Sequence, residues 1–141
     1  MRKDTARARV LCIEDDPEMI DLIRVILEQR GYEVVGMTTG AQGLRAARET
    51  RPDLVLLDLM MPGMDGWEVY RRLREDAELA DVPVVVVTAK AQNIDRMLGL
   101  HIARVDDYVT KPFGAQELVD RMEAVLARSK ARSGERGVIR G

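Results

Sequence analysis

The sequence predicts an α/β fold in which one parallel sheet is covered by helices on both faces. Short apolar runs alternate with helical patterns five times along the chain. One run, residues 84–87, is all valine without polar alternation, which is typical of a strand buried on both faces. Strands that alternate with helices are joined by crossovers, so we expect a doubly wound sheet.

Length and composition suit a single domain of this kind. The chain has 141 residues, of which 46% are hydrophobic, enough for a core without covalent cross-links. Its one cysteine, Cys12, cannot form a disulfide within the chain, which fits a reducing compartment. The run at 10–13 is too short for a signal peptide, and no run approaches the roughly 18 apolar residues of a membrane span. We therefore expect a cytoplasmic protein with no membrane partner.

The predicted strands lie at residues 10–13, 33–37, 54–57, 82–87 and, more weakly, 107–110. The first three helices have clear start or stop signals. Asp16 is placed as an N-cap before Pro17 at the first helical position, and Gly31 follows the end of that helix. Thr39 and Asp65 begin the second and third helices with capping patterns.

Two further helices are predicted from apolar stripes at helical spacing. The fourth carries on one face Ile94, Met97, Leu98 and His101. The fifth, from about 114 to 128, carries Leu118, Met122 and Val125. Residues 130–141 lack this periodicity, and we expect a flexible tail there.

The distribution of charge also separates a central domain from the two ends of the chain. The formal net charge is -2, but residues 1–9 carry +3, residues 128–141 carry +4, and the stretch between them carries -9. We predict a basic N-terminal tail at 1–7, a folded domain at 8–128 and a basic, flexible C-terminal tail at 129–141. The acidic excess of the domain requires a functional explanation.

Polar side chains follow four of the predicted strands. They are Glu14, Asp15 and Asp16 after the first, Asp58 after the third, Thr88 and Ala89 after the fourth, and Lys111 after the fifth. Ligands of open α/β sheets bind at the carboxyl ends of the strands. If the strand order is 2-1-3-4-5, these side chains converge on one edge of the sheet.

Such a concentration of carboxylates is unfavourable unless a cation offsets it. Two unit charges about 4 Å apart repel by roughly 4 kcal/mol at an effective dielectric constant of 20. Lys111 alone cannot neutralise Glu14, Asp15 and Asp58, whereas Mg²⁺ prefers carboxylate and carbonyl oxygens and retains positions for phosphate. The pattern predicts a phosphoryl-group site in which a carboxylate can be the nucleophile. Asp16 is better explained as a helix cap.

Four segments together resemble the receiver domains of two-component response regulators. They are VLCIEDDP at 10–17, LVLLDLMMPGMDG at 54–66, VVVVTA at 84–89 and DDYVTKPF at 106–113. Order, spacing and residue types fit over about residues 8 to 128. The resemblance implies a flavodoxin-like fold, with a five-stranded parallel sheet in the order 2-1-3-4-5 and five helices, as in single-domain chemotaxis regulators.

The resemblance also implies roles for individual residues. Asp58 resembles the phosphoacceptor. The implied Mg²⁺ ligands are Glu14, Asp15, Asp58 and the backbone carbonyl of Met60. The implied phosphoryl-binding residues are Thr88, Ala89 and Lys111. Thr88 and Tyr108 resemble the switch pair, and Lys111-Pro112 resembles a cis peptide of the family.

The implied function is phosphorylation-controlled signalling. A sensor histidine kinase or a phosphotransfer protein would supply the phosphoryl group, and the surface of the fourth helix, fifth strand and fifth helix would then change its affinity for a downstream protein. The domain would catalyse only its own phosphorylation and slow dephosphorylation, so it is not expected to be an enzyme in the usual sense. A homodimer is compatible with this function. One departure is Arg104-Val105, where the family commonly has Gly-Ala.

Two alternatives come from other functional classes. A phosphotransferase acting on small molecules tends to have a second acid two residues after the nucleophile, and Met60 occupies that position here. The nucleic-acid alternative is that the basic ends bind the phosphate backbone, or that the tail is a linker to a missing DNA-binding domain. Direct DNA binding is not expected, because no helix-turn-helix pattern follows residue 128 and the acidic domain repels DNA.

Overall fold

A computed structural model describes residues 6–89 and 105–140, with side chains up to residue 132. Its strands are β1 (Arg9–Ile13), β2 (Glu33–Met37), β3 (Leu54–Leu57), β4 (Val84–Thr88) and β5 (Asp107–Thr110). They form one parallel sheet in the order β2-β1-β3-β4-β5. The predicted sheet and its strand order are therefore confirmed.

Four helices are present in the described part of the chain. They are α1 (Pro17–Glu28), α2 (Gly40–Thr50), α3 (Gly66–Glu75) and α4 (Ala115–Arg140). The predicted N-caps are confirmed, since the side chains of Asp16, Thr39 and Asp65 each accept a hydrogen bond from a backbone N–H of the first turn. The predicted helix with Ile94, Met97, Leu98 and His101 lies outside the described residues.

The core has two layers, one on each face of the sheet. Successive strand residues point to opposite faces, so Cys12 and Leu56 pack in one layer while Leu11 and Leu57 pack in the other. Helices α1 and α4 cover the first layer, and α2 and α3 cover the second. Burying a leucine or valine side chain contributes roughly 1.5–3 kcal/mol. Both layers therefore fix the central strands that carry the acidic residues.

The C-terminal boundary of the last helix differs from the prediction. The sequence predicted a helix end near Arg128 and a flexible tail at 129–141, but α4 continues to Arg140. No proline follows Arg128, and Lys130, Ala131 and Arg132 are good helix formers. In addition, Arg128 donates a hydrogen bond of 3.1 Å to the Asp106 carbonyl, and Arg132 lies 3.7 Å from the Asp106 carboxylate. These contacts link the added turns to the start of β5.

The fourth strand is also shifted from its predicted bounds of 82–87. It begins at Val84, because Pro83 has no N–H to contribute to a ladder, and it includes Thr88. No helix in the described part of the chain is both long and apolar enough to span a membrane.

Candidate functional site

The carboxyl ends of four neighbouring strands meet at one edge of the sheet. Ile13 of β1 is paired with Leu57 of β3, and Thr88 of β4 is paired with Thr110 of β5. The ladder continues past the strands, since the Asp58 N–H donates to the Ile13 carbonyl at 3.0 Å and the Lys111 N–H donates to the Thr88 carbonyl at 2.9 Å. The backbone therefore fixes the starting points of the side chains that follow each strand.

Three carboxylates converge at this edge. Glu14, Asp15 and Asp58 each place one carboxylate oxygen within 4.8 Å of the other two. Glu14 and Asp58 are only 2% and 4% exposed, whereas Asp15 is open to solvent. Hard oxygen donors at this spacing fit a divalent cation such as Mg²⁺. The predicted acidic cluster is therefore assembled, with one side facing solvent.

Backbone N–H groups orient the two buried carboxylates. Glu14 Oε2 accepts a hydrogen bond of 3.1 Å from the Asp16 N–H, and Asp58 Oδ1 accepts one of 3.0 Å from the Met60 N–H. These contacts hold each carboxylate in place and leave its second oxygen directed toward Lys111.

In the described part of the chain, Lys111 is a cation that faces this cluster. Its Nζ lies 2.5 Å from Glu14 Oε1 and 3.6 Å from Asp58 Oδ2. The first distance is that of a short charge-assisted hydrogen bond, and the second is an ion contact without a hydrogen bond. Lys111 is thus bound mainly to Glu14. The cis peptide predicted at Lys111-Pro112 is confirmed.

Burial and charge shift the ionisation of this pair. Burial raises the pKa of Glu14 from 4.5 to about 7, with a further contribution from the Asp58 charge, although hydrogen bonds from Lys111 and Asp16 oppose the rise. Burial acts to lower the pKa of Lys111, but the hydrogen bond to Glu14 and the charges of Asp58 and Glu14 outweigh it, so the net shift is upward. Among the described residues at this edge, three carboxyl groups face one lysine.

The other predicted site residues lie around this cluster. Thr88 ends β4 and is buried, and the adjacent Ala89 is exposed. Tyr108 is half-buried and packs against the core layer under α2 and α3, as does Val105. The Met60 N–H contacts Asp58, while the role of the Met60 carbonyl as a ligand remains a prediction.

Gly66 is a site residue that had no role of its own in the sequence pattern, where it only ends the segment at 54–66. A Cβ at Gly66 would overlap the Asp58 carbonyl oxygen and lie 2.5 Å from the Leu59 Cα. Glycine is needed here because the first turn of α3 packs directly on the loop that follows β3. The only sequence signal for this contact was the Asp65-Gly66 pair shortly after Asp58.

Cys12 lies in β1 beneath the cluster, and we expect it to be chemically inert in the folded protein. It is 1% exposed, and burial, with a contribution from the Glu14 charge, raises its pKa from 9.0 to about 12. Thiolate is the reactive form, so alkylation at pH 8 should be at least ~100-fold slower in the native than in the unfolded protein. Equal rates of reaction with a thiol reagent, with and without denaturant, would contradict this packing.

Comparison with known proteins identifies the family of this site. The family model for the response regulator receiver domain matches residues 10–123, which include every predicted site residue. The chain belongs to the response-regulator receiver family. The resemblance inferred from the four motifs is therefore confirmed.

Curated relatives of this receiver are longer proteins. It is 46% identical over 127 residues to the DNA-binding response regulator MtrA of Mycolicibacterium smegmatis, covering 90% of this chain and 54% of the relative. It is 43% identical over 121 residues to the DNA-binding dual master transcriptional regulator RpaA of a Synechocystis species, covering 86% and 50%. The receiver thus spans about half the length of these relatives.

These relatives correct one expectation. Direct DNA binding was not expected from the sequence, because no helix-turn-helix pattern follows residue 128 and the acidic domain repels DNA. The related proteins are named as DNA-binding regulators, and much of their length lies beyond the region shared with this receiver. The charge of a receiver therefore says little about DNA binding by the protein that contains it.

A solved structure supports the fit of the acidic cluster to a metal. The receiver domain of the sensor histidine kinase PA1611 from Pseudomonas aeruginosa has a magnesium ion coordinated in its active-site cleft. It matches this receiver with a TM-score of 0.78 and 31% identity, covering 86% of this chain and 99% of that one.

Proposed function

We propose that this receiver accepts a phosphoryl group on Asp58 from a sensor histidine kinase or a phosphotransfer protein, in a Mg²⁺-dependent reaction. The observation that carries the proposal is the convergence of Glu14, Asp15 and Asp58 at the ends of neighbouring strands, with Lys111 in contact with Glu14 and Asp58. A buried carboxylate held by a backbone N–H and facing an ammonium group is suited to attack phosphorus.

The proposed reaction is a direct transfer between two side chains. One carboxylate oxygen of Asp58 forms a bond to phosphorus while the phosphorus–nitrogen bond of the donor phosphohistidine breaks, and the imidazole leaves with the bonding electron pair. The product is an acyl phosphate on Asp58. Lys111, the Thr88 hydroxyl and the Ala89 N–H are proposed to bind the phosphoryl oxygens. A bound Mg²⁺ would neutralise charge on the carboxylates and the phosphoryl group, with Glu14, Asp15, Asp58 and the Met60 carbonyl as its proposed ligands.

We propose that this receiver turns over no external substrate beyond its phosphodonor. Met60 supplies no acid two residues after Asp58, where a small-molecule phosphotransferase tends to have one. The only reactions expected are phosphorylation of Asp58 and slow hydrolysis of the resulting acyl phosphate.

The proposed output is a change of surface at β5 and the elements beside it. The added phosphoryl charge would draw Thr88 toward Asp58, and the half-buried Tyr108 would turn further inward. Tyr108 is paired with Val86 in β4 and packs against the core, so it is well placed to respond. Because the relatives are DNA-binding regulators, we propose that this surface controls a DNA-binding output.

The proposal is tested by phosphorylation with a small-molecule phosphodonor such as acetyl phosphate. Intact-mass spectrometry should show the gain of one phosphoryl group when Mg²⁺ is present and no gain when the metal is removed by a chelator. Equal uptake under both conditions would contradict the metal-dependent mechanism.

Mg²⁺ alone should stabilise this receiver. A ligand at 100 times its dissociation constant adds about 2.7 kcal/mol to the free energy of unfolding, which corresponds to a rise in melting temperature of several degrees. Scanning calorimetry with and without Mg²⁺ checks this, and Asp15→Asn should reduce the rise. An unchanged melting temperature at millimolar Mg²⁺ would contradict the site.

The rise in melting temperature caused by Mg²⁺ should increase with pH. The folded-state pKa of Glu14 is about 7, above its ordinary value of 4.5. Without Mg²⁺, protonation of Glu14 adds to the free energy of unfolding at low pH, and this contribution is lost as the pH rises from 4.5 to 7. Since Mg²⁺ binds the carboxylate form, the rise in melting temperature should be larger at pH 8 than at pH 5.

A further inference from the structure

The two basic ends of the chain meet at the amino edge of the sheet, where the strands begin. Arg7 lies two residues before β1, and its guanidinium is 2.9 Å from the Glu123 carboxylate of α4 and 4.8 Å from the centre of the Tyr32 ring. A cavity of about 190 Å³ beside these groups is lined by both Arg7 and Lys130. The N-terminal segment and the last helix therefore expose their charges on one surface.

Three cations in the last described turns of α4 keep most of their charge available. Arg128 donates its hydrogen bond to the Asp106 backbone carbonyl, which carries no charge. Arg132 is 51% exposed and lies 3.7 Å from the Asp106 carboxylate, a distance too long for a hydrogen bond, so this ion contact is weak. Lys130 is exposed and forms no ion pair with any described residue.

Carboxylates at this surface are too few to neutralise its cations. Glu123 is shared between Arg7 and the Tyr32 hydroxyl, which donates a hydrogen bond of 2.7 Å to it. Asp106 is likewise engaged, since it accepts a hydrogen bond of 2.8 Å from the Val84 N–H. Four described cations form what we call the amino-edge basic surface: Arg7, Arg128, Lys130 and Arg132. Among the described residues, only Glu123 and Asp106 form ion pairs with them, which leaves positive charge in excess.

The amino-edge basic surface is well separated from the acidic site. A strand residue advances the chain by about 3.3 Å, so the five residues of β1 place the two edges of the sheet roughly 15 Å apart. The Debye length is about 8 Å at physiological ionic strength. The carboxylates of Glu14, Asp15 and Asp58 are thus largely screened from an anion at the amino edge. The negative net charge of the domain therefore does not prevent a polyanion from binding there.

We propose that the amino-edge basic surface binds the phosphate backbone of duplex DNA. Contacts between cationic side chains and phosphates provide affinity without reading the base sequence. The receiver itself then adds phosphate contacts to the DNA-binding output proposed above. This inference rests on the proposed function for its purpose, but the surface exists without phosphorylation.

The test is the binding of the whole chain to a short fluorescent DNA duplex, followed by anisotropy over a range of salt concentrations. The variant replaces Arg128, Lys130 and Arg132 together by glutamine. Each lost phosphate contact removes about 0.9 from the slope of log affinity against log salt concentration, so the slope should flatten by about 2.7. We also expect the affinity at low salt to fall by at least ~10-fold.

A second triple variant is the matched control. Replacing Arg45, Arg71 and Arg72 by glutamine removes the same charge from exposed positions on α2 and α3, which cover the other face of the sheet. This variant should bind DNA with the wild-type slope. Circular dichroism checks that both triple variants fold. If the first does not, Lys130→Gln carries the test, because Lys130 has no ion pair to lose and its slope should still flatten by about 0.9.

The inference is overturned if the wild-type chain does not bind the duplex at low salt, or if both triple variants lose affinity equally. Its failure is distinct from failure of the proposed function, because phosphoryl uptake is measured separately by intact-mass spectrometry. A chain that is phosphorylated on Asp58 but binds no DNA refutes the DNA-binding surface alone. A chain that binds DNA through this surface but takes up no phosphoryl group supports the surface and refutes only the phosphoryl transfer.

Discussion

An Asp58→Asn variant is expected to lose phosphoryl uptake by at least ~100-fold, because the amide replaces the carboxylate nucleophile. The asparagine side chain has nearly the same shape, and its oxygen can still accept the hydrogen bond from the Met60 N–H. The fold should therefore persist while the chemistry is lost. Intact-mass spectrometry after incubation with acetyl phosphate and Mg²⁺ measures the effect.

Asp65→Asn is the matched control for this substitution. Asp65 follows the same strand and caps α3, where its side chain accepts a hydrogen bond from the Glu68 N–H. Asparagine is an equally good N-cap, so this variant should keep both its stability and its phosphorylation. Uptake by Asp58→Asn at the wild-type level would show that another residue is the phosphoacceptor.

A Gly66→Ala variant is expected to be strongly destabilised. The new methyl group would overlap the Asp58 carbonyl oxygen and press on the Leu59 Cα, and backbone atoms cannot rotate away as a side chain can. Overpacking of this kind costs about 1–3 kcal/mol, and we expect a loss near the upper limit. Denaturant titration measures the free energy of unfolding, and phosphorylation should also slow because the Asp58 loop is displaced.

Gly114→Ala provides the control for glycine replacement as such. Among the described residues, no atom beyond Gly114 and its two chain neighbours lies within 4 Å of a Cβ built at Gly114, which directly precedes α4. Its free energy of unfolding should change by less than about 0.5 kcal/mol. If Gly66→Ala is as stable as Gly114→Ala, the close packing of α3 against the Asp58 loop is incorrect.

The sequence predicted the sheet and the site edge because both depend on topology. Apolar runs such as the four valines of β4 identify buried strands, and parallel strands bring their carboxyl ends to one edge. Glu14, Asp58 and Lys111 could therefore be placed together before any distance was known. The caps at Asp16, Thr39 and Asp65 are local signals and were equally accessible.

Features that depend on contacts between side chains were not accessible in this way. The preference of Lys111 for Glu14 over Asp58 is set by about 1 Å, which no spacing in the sequence encodes. The overlap at Gly66 depends on how α3 packs against the loop. The extension of α4 past Arg128 also escaped prediction, because the added turns lack an apolar stripe and are linked to the domain through Asp106.

In the proposed reaction Asp58 carries the phosphoryl group, and chemical reduction of the acyl phosphate identifies the residue that bears it. Borohydride delivers two hydrides in turn to the acyl carbon of an aspartyl phosphate: the first displaces phosphate and gives the aldehyde, and the second, followed by protonation, gives the alcohol, homoserine. Peptide mass spectrometry of the wild-type protein, phosphorylated with Mg²⁺ and then reduced, should find homoserine in place of Asp58 and at no other aspartate. Homoserine at Asp15 or another aspartate, with Asp58 unchanged, would show that Asp58 is not the phosphoacceptor.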